Sequence, residues 1–176
     1  MSIPGIGCSS VNGKNNNAIS LAGEFAVLSQ LMLRGFDANM TLGRTKSVDI
    51  LLSDPGTGKM LKLEVKTNWG RGAKSKLFGT CVSQWIMDQK HETIRDKDLF
   101  YCFVHIARDT KHFRFFLVPS DVVAGYVKAQ HKLWLRADPK HRDSRIRRFR
   151  IGLEQEQYPI PTPSLEQYED NWRFKA

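Results

Sequence analysis

The chain has 176 residues, enough for one domain with a substantial core and too few for two comfortable ones. Apolar residues make up 41% and four of the residues are tryptophan, which excludes a disordered polymer. Lys and Arg outnumber Asp and Glu by 27 to 18, and the resulting +9 favours polyanionic partners, nucleic acid first among them.

No apolar run approaches the roughly 20 residues of a membrane-crossing helix. Met1 to Asn17 lacks the charged start and apolar centre of a signal peptide, so a cytoplasmic location with no membrane partner is expected. Cys8, Cys81 and Cys102 are odd in number and far apart, which indicates neither a disulfide framework nor a zinc knuckle. Cys81 and Cys102 read as small buried hydrophobes.

Residues 1–17, rich in Gly, Ser and Asn, read as an arm with little to bury, its Asn cluster supplying a helix cap. The rest, 18–176, reads as one domain, with a core over 18–135 and a basic segment and C-terminal extension over 136–176. From Ala18 to Arg34, Leu21, Phe25, Leu28, Leu31 and Met32 recur at helical spacing, and Gly35 suits a helix C-cap. Short strands are predicted over Phe36–Leu42, Ser47–Leu52 and Met60–Thr67. The turn chemistry of Asp54-Pro55-Gly56-Thr57-Gly58 joins the last two as an antiparallel hairpin. Gly58-Lys59 is not a phosphate loop, because Ser53 stands where the earlier glycine belongs and no Ser or Thr follows Lys59.

Gly70 to Gly79 reads as a basic loop carrying Arg71, Lys74 and Lys76. Val82, Trp85, Ile86 and Gln89 predict a second helix over Cys81–Glu92. Strands follow over Leu99–Ala107 and His112–Val118, then a helix over Val122–Leu135 with Ser120 as its cap. The stretch Arg136 to Arg150 holds a cluster of cations with Ile146 and Phe149 interleaved, and the proline-spaced end drapes over the domain until Trp172 anchors it. The architecture expected is α/β, a mixed central sheet flanked by helices.

A D/E-x-K tripeptide occurs four times, at Glu64, Asp88, Asp109 and Asp138, so its spacing alone proves nothing. Glu64 stands apart because Leu61, Leu63 and Val65 alternate with polar residues around it, which sends Glu64 and Lys66 to one face of a strand. On the preceding strand Asp49 alternates with Val48 and Ile50 and can lie beside Glu64. Glu24 sits inside the helix stripe, where an unpaired carboxylate is costly unless it serves a partner or a metal. If that helix packs on the sheet, Glu24, Asp49 and Glu64 converge and the Val65 carbonyl adds an oxygen. Such an oxygen-only set favours Mg²⁺ or Mn²⁺ over zinc.

With Glu24 on a helix, Asp49 on a strand and Glu64-Val65-Lys66 on the next, the chain from Ala18 to Val118 resembles the PD-(D/E)xK nuclease superfamily. That is the restriction-endonuclease-like fold, which includes Holliday-junction resolvases; Val48 occupies the place of the name's proline. The resemblance implies a Mg²⁺-dependent endonuclease cutting DNA by direct water attack. Asp49 and Glu64 would bind the metal with Val65, Lys66 would position the attacking water, and Glu24 would hold a metal-bound water or a second ion. Gln84 on the following helix would touch substrate or water.

Arg71, Lys74 and Lys76, and in the later cluster Arg142, Arg145, Arg147 and Arg148, are the candidate DNA contacts. The five histidines show no metal-binding spacing and read as ordinary surface or core residues. Symmetric dimers are common among such enzymes, which leaves a homodimer open without marking a surface for it. Two rivals stand beside this reading: a nucleic-acid-binding module that does not turn over, and an interaction subunit whose acids pair with nearby Lys and Arg.

Overall fold

A computed structural model describes residues 16–41, 48–70, 73–75, 77–153, 160 and 162–174. The expected N-terminal arm up to residue 15, and Arg71 and Lys76, lie outside them.

The first helix, α1 (Asn16–Leu33), ends where Gly35 takes a φ of +82°, a left-handed conformation that glycine adopts without strain. The Gly35 N–H donates to the Met32 carbonyl at 3.0 Å and the Phe36 N–H to that of Leu31 at 3.1 Å. The buried face differs from the predicted stripe. It runs through Gly23, Val27 and Leu31, whereas Leu21, Phe25 and Met32 are exposed. The cause is Gly23, where a Cβ would come within 1.9 Å of Thr67 Oγ1. Its absence lets the helix backbone settle onto the sheet, which turns the larger apolar residues outward.

The short strands β1 (Asp37–Met40) and β2 (Ile50–Ser53) and the long β3 (Met60–Gly70) form an antiparallel run, with the predicted hairpin turn between β2 and β3. Asp54 holds that turn, its side chain accepting from the Gly56 N–H at 2.8 Å. β3 then pairs in parallel with β6 (Leu99–Ala107), which pairs antiparallel with β7 (Phe113–Pro119). The result is a mixed five-stranded sheet in the order β1-β2-β3-β6-β7.

Between β3 and β6 the chain makes strands where a loop and a helix were expected. β4 (Ala73–Ser75) and β5 (Gly79–Asp88) form a hairpin, followed by a short 3-10 helix, Gln89–Glu92. The governing period is two: Ser83, Trp85 and Met87 are buried while Ile86 is exposed. β8 (Ile146–Leu153), drawn from the basic segment, pairs with β5 to complete a second sheet, β4-β5-β8.

One face of the large sheet packs against α1 through Val27, Leu31, Ile50, Leu63, Val65 and Cys102, and Trp172 is buried in that layer as expected. The other face carries Tyr101, Phe103 and Phe116 against Trp85 and Phe149 of the small sheet and Val123 and Val127 of α2 (Ser120–Ala137). Phe103 and Phe149 stack at 4.1 Å, and the Trp85 indole N–H donates to the Val104 carbonyl at 3.0 Å. Ser120 does not cap α2. Its hydroxyl donates to the Asp96 carbonyl and accepts from the Asp96 N–H, both at 2.8 Å, which ties the helix start to the β6 approach. A last short helix, α3 (Leu165–Tyr168), lies against β7. Among the described residues no helix is long and apolar enough to cross a membrane.

Candidate active site

β2 stops pairing with β3 at the Ile50–Leu63 step, with one further bond from the Asp49 N–H to the Leu63 carbonyl at 2.8 Å. Beyond that point the described residues place no strand on this side of β3. Asp49 fills the gap itself: its Oδ2 accepts the Val65 N–H at 2.7 Å. A residue's N–H and C=O leave a strand on the same side, so the Val65 carbonyl opens onto this edge beside Asp49.

Glu64 lies on the opposite face of β3 from the α1 core and is only 3% exposed. Its Oε1 meets the Lys66 ammonium at 2.6 Å and His91 Nε2 at 3.2 Å. Burial alone would raise its pKa, but the His91 hydrogen bond and the Lys66 charge outweigh it and bring the carboxyl down to about 2. Its Oε2 is buried, and the carboxylate interacts with the hydroxyl of Tyr101, its cross-strand neighbour. Burial, the Glu64 charge and the hydrogen-bonding contact with Glu64 push that phenol upward.

Glu24 accepts a hydrogen bond from the Ser20 hydroxyl at 3.2 Å, and its pKa is raised, first by burial and then by the charge of Asp49. The Asp49 carboxyl is raised as well, by burial above all, with Glu64 adding to the shift and Val65 and Lys66 opposing it. Asp49, just ahead of β2, thus feels the charges of Glu24 on α1 and of Glu64 and Lys66 on β3. Glu24 and Asp49 are held in a state that an added positive charge would relieve.

Among the described residues no three His, Cys, Asp or Glu side chains come close enough to enclose a metal ion. The candidate donors are the Asp49 carboxylate, the buried Glu64 carboxylate and the Val65 carbonyl. That set fits Mg²⁺, which keeps several waters and takes one or two carboxylates together with substrate phosphate.

His91 is the residue that sequence reasoning passed over. It is 3% exposed, and Nδ1 lies 3.0 Å from the Asp88 backbone nitrogen and 2.8 Å from the Asp88 carbonyl, which aims Nε2 at Glu64. The Asp88 side chain in turn caps the 3-10 helix that carries His91. The one available signal was the Asp88-x-x-His91 spacing of a capping box, legible only once β5 is known to be a strand that ends at Asp88.

The remaining candidates divide. Gln84 sits on the outer face of β5, not on a helix, and Lys74 is exposed on β4. Arg148 is half-buried beside Gln84, Arg142 is exposed, and Arg145 is exposed with an ion pair to Asp88 at 3.2 Å. Arg147 points inward, bound to Glu92 and to the Ser144 and Ile146 carbonyls, so it is not available to an external phosphate.

No family model matches this sequence, and no curated protein matches it. Among solved structures, a bacterial homing endonuclease, I-Ssp6803I, is similar with a TM-score of 0.51 at 16% identity, covering 90% of this chain and 91% of that one. The fold is endonuclease-like. At that identity the likeness speaks for the fold alone. It extends over nearly all of both chains.

Proposed function

We propose that this protein is a Mg²⁺- or Mn²⁺-dependent endonuclease that hydrolyses DNA phosphodiester bonds by direct attack of water, with a site of the PD-(D/E)xK kind. The observation that carries the reading is the open edge of β3, where Asp49 is fixed by the Val65 N–H at 2.7 Å beside the buried, ionised Glu64 and its Lys66 partner. The neighbour's homing-endonuclease fold and the net charge of +9 favour DNA as the polyanion.

Asp49, Glu64 and the Val65 carbonyl would hold the cation, which supplies Lewis acidity and offsets charge on the phosphoryl oxygens. The residues do the rest. His91 and Lys66 keep Glu64 ionised and oriented at neutral pH. The Lys66 ammonium, part-exposed at the mouth of the site, can orient the attacking water and offset negative charge as it develops on phosphorus. Glu24, its proton affinity raised, can hold a second water through a hydrogen bond.

The test is cleavage of plasmid, branched and single-stranded DNA with Mg²⁺ or Mn²⁺. Loss of cutting in Asp49→Ala and Glu64→Ala is expected, and activity unchanged in either variant sinks the assignment. Salt-sensitive binding without cleavage in any metal selects a non-catalytic binding module instead.

A further inference from the structure

The outer face of the small sheet holds a buried charge that the proposed chemistry does not use. Arg150 on β8 is 5% exposed, and among the described residues no carboxylate pairs with it. Its guanidinium lies over the Phe78 ring at 4.3 Å. The Gln130 amide of α2, turned so that both its ends are satisfied, accepts from Arg150 Nη1 at 3.3 Å and donates to the Arg148 carbonyl at 3.1 Å. A guanidinium carries five N–H donors in a fork, so among the described residues most of its bonding capacity is unspent. A buried unpaired cation is costly, and no acidic side chain among the described residues offsets this one.

Arg150 lines a pocket of about 480 Å³ with Lys74, Phe78, Gln84, Gln130 and Arg148. Three of these six side chains are cationic and none is acidic. Trp134 also borders the pocket, its ring already stacked on His141 at 3.9 Å and on His131 at 5.6 Å. The chemistry therefore suits a phosphate, which the Arg fork binds in a bidentate manner. Gln84 and Arg148 also line the cleft that contains Val65, Lys66 and Thr67, so the pocket and the candidate active site share a wall.

We propose that this pocket binds a backbone phosphate of the same DNA strand that enters the active site, with Arg150 as its buried anchor. The proposal rests on the nuclease reading and adds to it a fixed second point of contact, which sets the register of the strand relative to the cut. The phosphate neutralises Arg150 from outside, as a carboxylate would from within.

The test is a methylphosphonate scan: oligonucleotides with one neutralised phosphate each, bound to the full chain in EDTA and followed by fluorescence anisotropy. In the wild type, one position at a constant offset from the cleavage site is expected to weaken binding about tenfold, the worth of a charge-assisted contact. In Arg150→Gln that position becomes tolerated, and the slope of log affinity against log salt falls by about one. If Arg150→Gln does not fold, the exposed Lys74→Gln is scanned instead, and the same position is expected to lose part of its effect. Coincident scans and slopes for wild type and variant, with DNA still bound and cut, overturn the pocket alone. Sensitivity confined to a terminal 5′-phosphate overturns the backbone assignment. A protein that neither binds nor cuts DNA overturns the nuclease reading and the pocket with it.

Discussion

Glu64 and Arg147 are both buried charges on strands, and they are satisfied very differently. Arg147 is paired with Glu92 and donates to the Ser144 and Ile146 carbonyls, which fastens β8 to the 3-10 helix. Glu64 spends Oε1 on His91 and on the part-exposed Lys66, and it also meets the Tyr101 hydroxyl. A charge that the fold satisfies on its own serves the fold. One whose cationic partner is itself part-exposed at a strand border sits where an outside group can reach that partner.

The largest effect expected from breaking this contrast is structural. Arg147→Ala strands Glu92 and should cost about 3–5 kcal/mol of stability in chemical denaturation, whereas Glu64→Gln should cost less. The signature of Glu64→Gln is catalytic: a fall in cleavage rate of about 10²–10³, read by single-turnover assays on labelled DNA. His91→Ala leaves the carboxylate in place but unaimed, so a loss of about 10–100-fold in activity or Mn²⁺ affinity is expected, with Mn²⁺-dependent thermal stabilisation as the independent readout.

Proton linkage sharpens the comparison further. The Glu64 carboxyl is held at about 2, so its contribution to stability is complete above the ordinary carboxylate range and is lost as pH falls toward 2. Acid denaturation of Glu64→Gln should lack that component. Asp49 carries the opposite sign. Its raised pKa opposes folding at neutral pH, and the penalty vanishes once both states are protonated. Asp49→Asn keeps an acceptor for the Val65 N–H, so the metal-free variant is expected to melt higher than wild type at pH 7 while its cleavage is lost. This is the smallest of the effects, and a lower melting temperature would count against the electrostatic account of the site.

Strands and helices with one dominant period were legible in the sequence. The β2–β3 hairpin, β6, β7 and the body of α2 follow their apolar patterns and turn residues. β5 was not, because Val82, Trp85, Ile86 and Gln89 fall at helical intervals by coincidence, while the true inward residue Ser83 looks polar. It is buried because its hydroxyl meets His105 at 3.0 Å and Asn68 at 3.2 Å. β8 was hidden by its arginines, two of which prove to be buried. The α1 face was misread because its central contact is a glycine, which no apolar stripe records. Asp49, Glu64 and Lys66 were legible because strand alternation singles them out. His91 was not, since its path to Glu64 runs through a strand that the sequence disguises.

The short length of β2 has one more consequence. A strand that outruns its partner exposes unpaired amides and carbonyls, and such a border is an invitation for another chain to add itself to the sheet. Here α1 packs over the face of β3 beyond the end of β2, with Gly23 against Thr67, and a carboxylate occupies the nearest amide. The carboxylate that the proposed chemistry uses therefore also occupies an amide that another chain could otherwise pair with. A substitution such as Asp49→Val would remove both protections from that border at once, the charge and the bond to Val65.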